Sequence, residues 1–234
     1  MQNNFYHINN FSNIYKKPLE TSEVTSQIIY GEKFKILFKN KNWIKIKTSF
    51  DNYIGYVKNS KYIKKFNPNY KVSSLKTKIF KKPGTGTKIW LPLGSRLSVI
   101  EENKNYIKIE KNKWIKKKDI KKLNHKEKNF VKIFKKFLNV KYVWGGKTFK
   151  GIDCSALLQM FFNYNNLFYP RDTKDQIRYT KKNSNKRKFK KGDIIFWKGH
   201  VAICLNSKQL IHAYGPKKKV ITMPIIETIN IIKE

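Results

Sequence analysis

Gly151-Ile-Asp-Cys-Ser-Ala-Leu-Leu-Gln-Met-Phe-Phe162 is the stretch that decides how the second half of the chain folds. After Cys154, the residues Leu157, Leu158, Phe161 and Phe162 recur at helical spacing, so one side of a helix is apolar and faces a core. Gly151 breaks the preceding chain. Asp153 is of a type that caps a helix by accepting hydrogen bonds from its first free N–H groups. Cys154 is therefore expected in the first turn. The exposed N–H groups there carry partial positive charge, which favours thiolate and lowers the thiol from a reference of about 8.5.

Working outward, Phe130, Val131, Phe134, Phe137 and Leu138 predict an amphipathic helix with Lys132, Lys135 and Lys136 outward. Downstream, Gly192-Asp-Ile-Ile-Phe-Trp197, Gly199-His-Val-Ala-Ile-Cys204 and Gln209-Leu-Ile-His-Ala-Tyr214 read as successive strands. In an antiparallel meander, a histidine opening one strand and another on its neighbour can face the same groove. Cys154 as nucleophile, His200 as base and His212 as the group that orients its ring would complete a Cys–His–third-residue constellation. Taken singly, a buried cysteine or a strand histidine is as well explained by packing; together and in this order they point to chemistry. Cys204 lies between apolar strand residues and is expected in the core. The set lacks the close CxxC or HxxxH spacings of a zinc site, so no metal and no organic cofactor is implied.

The first half contains a repeat. Gly31-Glu-Lys-Phe-Lys-Ile-Leu-Phe-Lys-Asn-Lys-Asn-Trp43-Ile-Lys-Ile-Lys47 aligns without gaps on Gly94-Ser-Arg-Leu-Ser-Val-Ile-Glu-Glu-Asn-Lys-Asn-Tyr106-Ile-Lys-Ile-Glu110. Each copy has a glycine turn, an alternating run, an Asn-Lys-Asn turn and a second alternating run, which is a β-hairpin pattern. Short strands follow at Tyr56-Val-Lys58 and Trp114-Ile-Lys116. Units of this kind read as two small β-barrels. Only the first copy carries Asp51-Asn-Tyr53-Ile-Gly55 before its last strand.

Of the 234 residues, 52 are Lys or Arg and 15 are Asp or Glu, a formal net charge of +37. Such a field attracts anions. Yet arginine appears only at 96, 171, 178 and 187, and the lysines are scattered through the whole chain. Specific nucleic-acid readers lean on the bidentate arginine fork, so the lysines read as compositional drift with solvated faces, and no specific nucleic-acid partner is expected. The tract from 181 to 191 reads as a solvated, lysine-rich excursion. Aromatics at 15% exclude disorder as the main state, and two cysteines cannot make a disulfide framework. No apolar run is long enough to span a bilayer. The N-terminus MQNNFYHINN has neither a basic region nor an apolar one, so the expected location is cytoplasmic.

The ordered motifs Tyr142-x-Trp-Gly-Gly, Gly-x-Asp-Cys154-Ser, Pro170-Arg171-Asp-Thr-x-x-Gln176, Lys191-Gly-Asp193-x-x-Phe-Trp, Gly-His200-Val and Ile-His212-Ala resemble the NlpC-type cell-wall cysteine peptidases over about residues 127–226. The first-half repeat resembles bacterial SH3 domains. The resemblance implies an α+β protein: SH3-like barrels at 1–68 and 69–123, then a papain-like catalytic domain at 124–234 in which a cysteine-bearing helix packs on an antiparallel sheet. It implies Cys154 as nucleophile, His200 as base, His212 as third member and Tyr142 as an oxyanion stabiliser beside them. Asp153 and Ser155 would flank the substrate's N-terminal residue, with Arg171 and Asp172 as further substrate-binding candidates. Tyr53 would roof the first subsite, as an SH3 tyrosine does in relatives that require a free N-terminal L-alanine, and Asp51 would join Asp153 in pairing the free ammonium. The implied substrates are peptidoglycan stem peptides, cut between D-γ-glutamate and the diamino acid, in murein peptide recycling. The family usually shows Asp-Cys-Ser-Gly, and this chain has Ala156, a change that removes no catalytic group. A non-catalytic protein that binds cell wall or anionic polymer through its SH3-like modules is the second reading.

Overall fold

The computed structural model describes residues 4–180 and 188–232, and the chain divides into two compact units, Met1–Lys126 and Glu127–Glu234. Most of the 181–191 tract, residues 181–187, lies outside the described residues. No helix among the described residues is long and apolar enough to cross a membrane.

The first unit is built of antiparallel strands. A seven-stranded sheet runs in the order Val24–Ile29, Phe11–Tyr15, Ile54–Lys58, Trp43–Thr48, Lys33–Lys39, Asn4–His7, Tyr62–Ile63. A five-stranded sheet (Thr85–Pro92, Lys76–Lys82, Lys113–Lys116, Tyr106–Glu110, Glu101–Glu102) and a three-stranded one (Arg96–Leu97, Tyr70–Val72, Ile120–Lys122) follow. The repeat is expressed atom for atom in its turns. Asn40 Oδ1 accepts from the Asn42 and Trp43 amides at 3.0 and 2.7 Å, and Asn103 Oδ1 accepts from Asn105 and Tyr106 at 3.0 and 2.8 Å. An asparagine that bonds its own backbone two and three residues on is what turns each hairpin.

Alternation along the strands then builds two cores. Phe5, Ile14, Ile28, Phe34, Ile44, Ile46 and Val57 form one, and Val72, Ile79, Leu91, Leu97, Ile107, Ile109, Ile115 and Ile120 the other, joined there by Tyr30. Tyr30 belongs to the first copy's sequence yet packs in the second core, and its hydroxyl reaches Glu110 at 2.5 Å. Gly31 makes this approach possible. Its φ is +78°, and a Cβ there would stand 2.3 Å from the Arg96 carbonyl oxygen.

The second unit is α+β. Helix α1 (Phe130–Lys136) buries Ile133 and Phe134 and leaves Lys132, Lys135 and Lys136 exposed, as the spacing predicts. It is shorter than the periodicity suggests because Asn139 adopts a left-handed φ of 63°, which turns the chain out of the helix. Helix α2 (Cys154–Tyr164) is buried over most of its length. Helix α3 (Thr173–Tyr179) and the terminal α4 (Ile225–Ile232) were not evident from periodicity. The sheet is a four-stranded antiparallel meander, Ile194–Trp197, His200–Cys204, Gln209–Tyr214, Lys219–Pro224, against which α2 packs through its second and third strands.

Candidate active site

Asp153 caps α2 as its residue type predicts, Oδ1 accepting from the Ala156 amide at 2.8 Å, and this puts Cys154 at the first helical position. Close backbone packing holds the approach to the cap. A Cβ on Gly146 would lie 2.5 Å from the Gly151 carbonyl oxygen, and one on Gly151 would lie 2.2 Å from Val143 Cγ2. The glycines of the two motifs thus permit one segment to lie directly on the other.

Cys154 is buried, and its Sγ lies 4.0 Å from the Gly199 carbonyl oxygen, against the start of the second sheet strand. Burial pushes its thiol up, and the Asp153 carboxylate adds to this; the Val201 and Ser155 amides and the Thr173 hydroxyl, which hydrogen-bond the sulfur, pull it down. The expectation of a lowered thiol is therefore corrected. The helix-start amide is present, but desolvation of a thiolate this deep outweighs it. Thr173 and the Val201 amide were not singled out from sequence, although Thr173 ends the Pro170-Arg-Asp-Thr motif.

His200 and His212 meet across the sheet, with Nε2 of His200 2.9 Å from Nδ1 of His212. The other ring nitrogen of His212, Nε2, lies 3.3 Å from Met223 Sδ, and the His212 ring stacks on Tyr214 at 4.7 Å and 9°. Burial drives both imidazoles toward their neutral forms, His200 to about 4 and His212 to about 3, the latter helped by His200 itself. At neutral pH the resting site therefore holds a thiol and two neutral rings. Tyr142 is half-buried, its ring over Gly215, and its hydroxyl is pushed up to about 12 chiefly by burial, with Cys154 once ionised and Asp153 adding to it. It remains an O–H donor throughout the neutral range.

Arg171 is buried and forks onto Asp153, Nη1 to Oδ1 at 3.0 Å and Nη2 to Oδ2 at 2.6 Å, while Nη1 also reaches Ser155 Oγ at 2.8 Å. The Gly145 amide and the Ser155 hydroxyl donate to the same carboxylate at 3.0 and 3.1 Å. Gln176 braces the ensemble by donating to the Ser155 and Pro170 carbonyls, each at 2.9 Å. Asp172 is exposed and precedes α3, where its backbone carbonyl, not its side chain, receives the first helical amides. Asp51 and Tyr53 lie in the first unit: Asp51 accepts from the Thr48 hydroxyl and the Tyr53 amide, and Tyr53 packs partly against the Phe5–Val57 core. Cys204 is fully buried in the core beneath the sheet. Among the described residues no group of three or more His, Cys, Asp or Glu side chains is placed to hold a metal ion.

The Arg171–Asp153 pair is a stability element. Its side chains are 1% and 6% exposed, so removing the cation leaves a buried carboxylate short of its strongest partner. Arg171→Met is expected to cost about 3–5 kcal/mol, read from urea unfolding midpoints. Arg171→Lys, which keeps charge and loses the fork, should fall between it and the parent.

A buried cysteine at the first position of a helix, set against an antiparallel sheet that carries two touching histidines, defines an α+β domain with a Cys–His–His site. Residues 139–230 match the NlpC/P60 family, and residues 14–61 match the bacterial dipeptidyl-peptidase Sh3 domain, so the chain carries an NlpC/P60 domain and a bacterial SH3 domain. It is 33% identical over 90 residues to a probable endopeptidase NlpC homolog of Haemophilus influenzae, covering 37% of this chain and 49% of that one. It is 31% identical over 101 residues to a gamma-D-glutamyl-L-lysine dipeptidyl-peptidase of Bacillus subtilis, covering 40% and 34% respectively. The chain thus spans about half or less of the length of these curated relatives. A crystal structure of an NlpC/P60 family protein from Bacillus cereus shares the fold, with a TM-score of 0.81 at 17% identity over 95% of this chain and 94% of that one.

Proposed function

We propose that the chain is a cysteine peptidase of peptidoglycan stem peptides that cuts the D-γ-glutamyl–diamino acid bond of peptides with a free N-terminal L-alanine. The observation that carries this reading is the His200–His212 contact of 2.9 Å beside a cysteine that starts a buried helix. In the proposed reaction, Cys154 Sγ attacks the scissile carbonyl while Nδ1 of His200 takes the thiol proton. The raised thiol and neutral imidazole favour proton transfer during attack over a preformed ion pair. Tyr142 donates its hydroxyl to the oxyanion. His200 then gives the proton to the leaving amine, leaving a thioester that water, activated by the same ring, hydrolyses. His212 holds the ring of His200. Residues 124–234 act in this reading as a papain-like catalytic domain, with SH3-like modules at 1–68 and 69–123.

Recognition of a free ammonium is supported by the concentration of acceptors at Asp153 and Ser155, with the exposed Asp172 as a further substrate-side candidate. The Asp153 oxygens already accept five donors, so the ammonium must displace one of them or act on Asp153 through space. An acylated N-terminus carries no charge with which to displace one of those donors or to act on Asp153 through space. The test compares kcat/KM for L-Ala-D-γ-Glu-diamino acid, its N-acetylated form and whole sacculi. The free tripeptide should be favoured by roughly a hundredfold or more, by analogy with sites built to pair a polar group. Equal rates on free and blocked peptide would remove the free-terminus requirement. A preference for sacculi would turn the reading from recycling to wall lysis, and binding without turnover would favour the non-catalytic alternative.

A further inference from the structure

We propose that Met223 is a positioning residue that sets the proton arrangement of the histidine pair, leaving Nδ1 of His200 as the free base; this rests on the peptidase reading above. A thioether sulfur has no proton and can only accept. With Sδ 3.3 Å from Nε2 of His212, the favourable arrangement places the His212 proton on Nε2. A neutral imidazole carries one N–H, so Nδ1 of His212 is then a lone pair. That lone pair faces Nε2 of His200 at 2.9 Å, and the contact is a hydrogen bond only if His200 donates from Nε2. Nδ1 of His200 is consequently the nitrogen with an available lone pair. The opposite arrangement would set the Nε2 lone pair of His212 against the sulfur lone pairs and would leave the proton on Nδ1 of His200, where it blocks proton abstraction.

The surroundings leave sulfur in control of this choice. His212 is fully buried and Met223 is 6% exposed, so bulk water does not compete for Nε2. Tyr214 stacks on the His212 ring through its face and directs no hydrogen bond at either nitrogen, which holds the plane without choosing the tautomer. Leu210, paired with Met223 across the strands, and Ala202, Cys204 and Ile225, in the same core cluster, offer no strong acceptor side chain in place of the sulfur. A third residue that positions a base usually does so with oxygen or nitrogen; here the next link outward is a sulfur, and its weakness as an acceptor suits a ring that must stay neutral.

The experiment is long-range proton–nitrogen correlation of ¹⁵N-histidine in the full chain at neutral pH, read with steady-state kinetics on the free tripeptide. The parent should show Nε2–H at both His200 and His212. Met223→Leu, similar in volume and without an acceptor, should show mixed tautomers at both rings and a kcat lower by on the order of tenfold, with KM unchanged. Selenomethionine in place of methionine keeps an acceptor and should retain both the parent spectrum and the parent kcat. Nδ1–H at His200 in the parent would overturn the proposal whatever the variants did. So would a Leu variant whose tautomers are unchanged, since any loss of activity would then be packing. The spectra need no turnover, so a chain that fails to cleave the peptide would sink the peptidase reading while the tautomers still decide this one.

Discussion

Replacing Cys154 with alanine is expected to abolish cleavage, a loss on the order of 10⁴-fold or more, because no other described group near the site can form the thioester. The folded state should survive. The side chain lost is small, and alanine is a better helix former at the first position of α2, so the melting temperature should move by only a few degrees. Cys204→Ala is the matched control. Cys204 is completely buried among Ala202, Leu210, Tyr214 and Met223, so its loss should cost about 1 kcal/mol of stability and leave kcat near the parent value. Cleavage that survives in the Cys154 variant and dies in the Cys204 variant would overturn the assignment of the nucleophile.

The second large effect is expected at the histidines, and the two should differ. His200→Gln removes the group that takes and returns the proton and should lower kcat by roughly 10²–10⁴. His212→Gln keeps a hydrogen-bonding side chain beside His200 and should lose only about tenfold to a hundredfold, its role being to hold and polarise the ring. A reversed order would exchange the roles. The pH profile carries the same information. Because burial lowers His200 to about 4, kcat/KM should hold below the usual histidine range and fall only as pH drops through about 4, where the base becomes protonated. The alkaline limb belongs to the thiol, which burial and Asp153 push above its ordinary value, so the active plateau should be wide. An acid limb centred near 6.5 would show that His200 is not desolvated as the structure has it.

Much of this site was legible in the residues because its information is local. Asp153 could be read as the cap of α2 from its type and position, and the hydrogen bond to the Ala156 amide is there. The meander could be read because alternating apolar runs separated by glycine turns leave little else to form, and antiparallel neighbours then bring His200 and His212 within reach of one another. The Asn-Lys-Asn turns of the repeat obey the same logic, since each is closed by a side chain bonding its own backbone.

What tertiary structure decided involves charge and contact between segments distant in sequence. The α2 amide at Ser155 does favour the thiolate, but the thiol rises because the sheet and Asp153 enclose the sulfur, and desolvation depends on everything that packs around an atom. Arg171 reads in sequence as a cation available to substrate; in the fold it is spent inside, on Asp153 and Ser155, eighteen and sixteen residues away in the chain. Met223 carried no signal in the sequence, and Thr173 only its place in a motif without a role, because a threonine at a helix start and a methionine in a strand are ordinary until the neighbour each touches is known. Sequence by itself determined α1, α2 with its cap, the first three meander strands and the order of nucleophile and histidines, since those follow from backbone propensity and periodicity. The protonation states and the proton's place on each ring were left to the fold, since electrostatics in a dry interior is a property of the whole enclosure rather than of any segment.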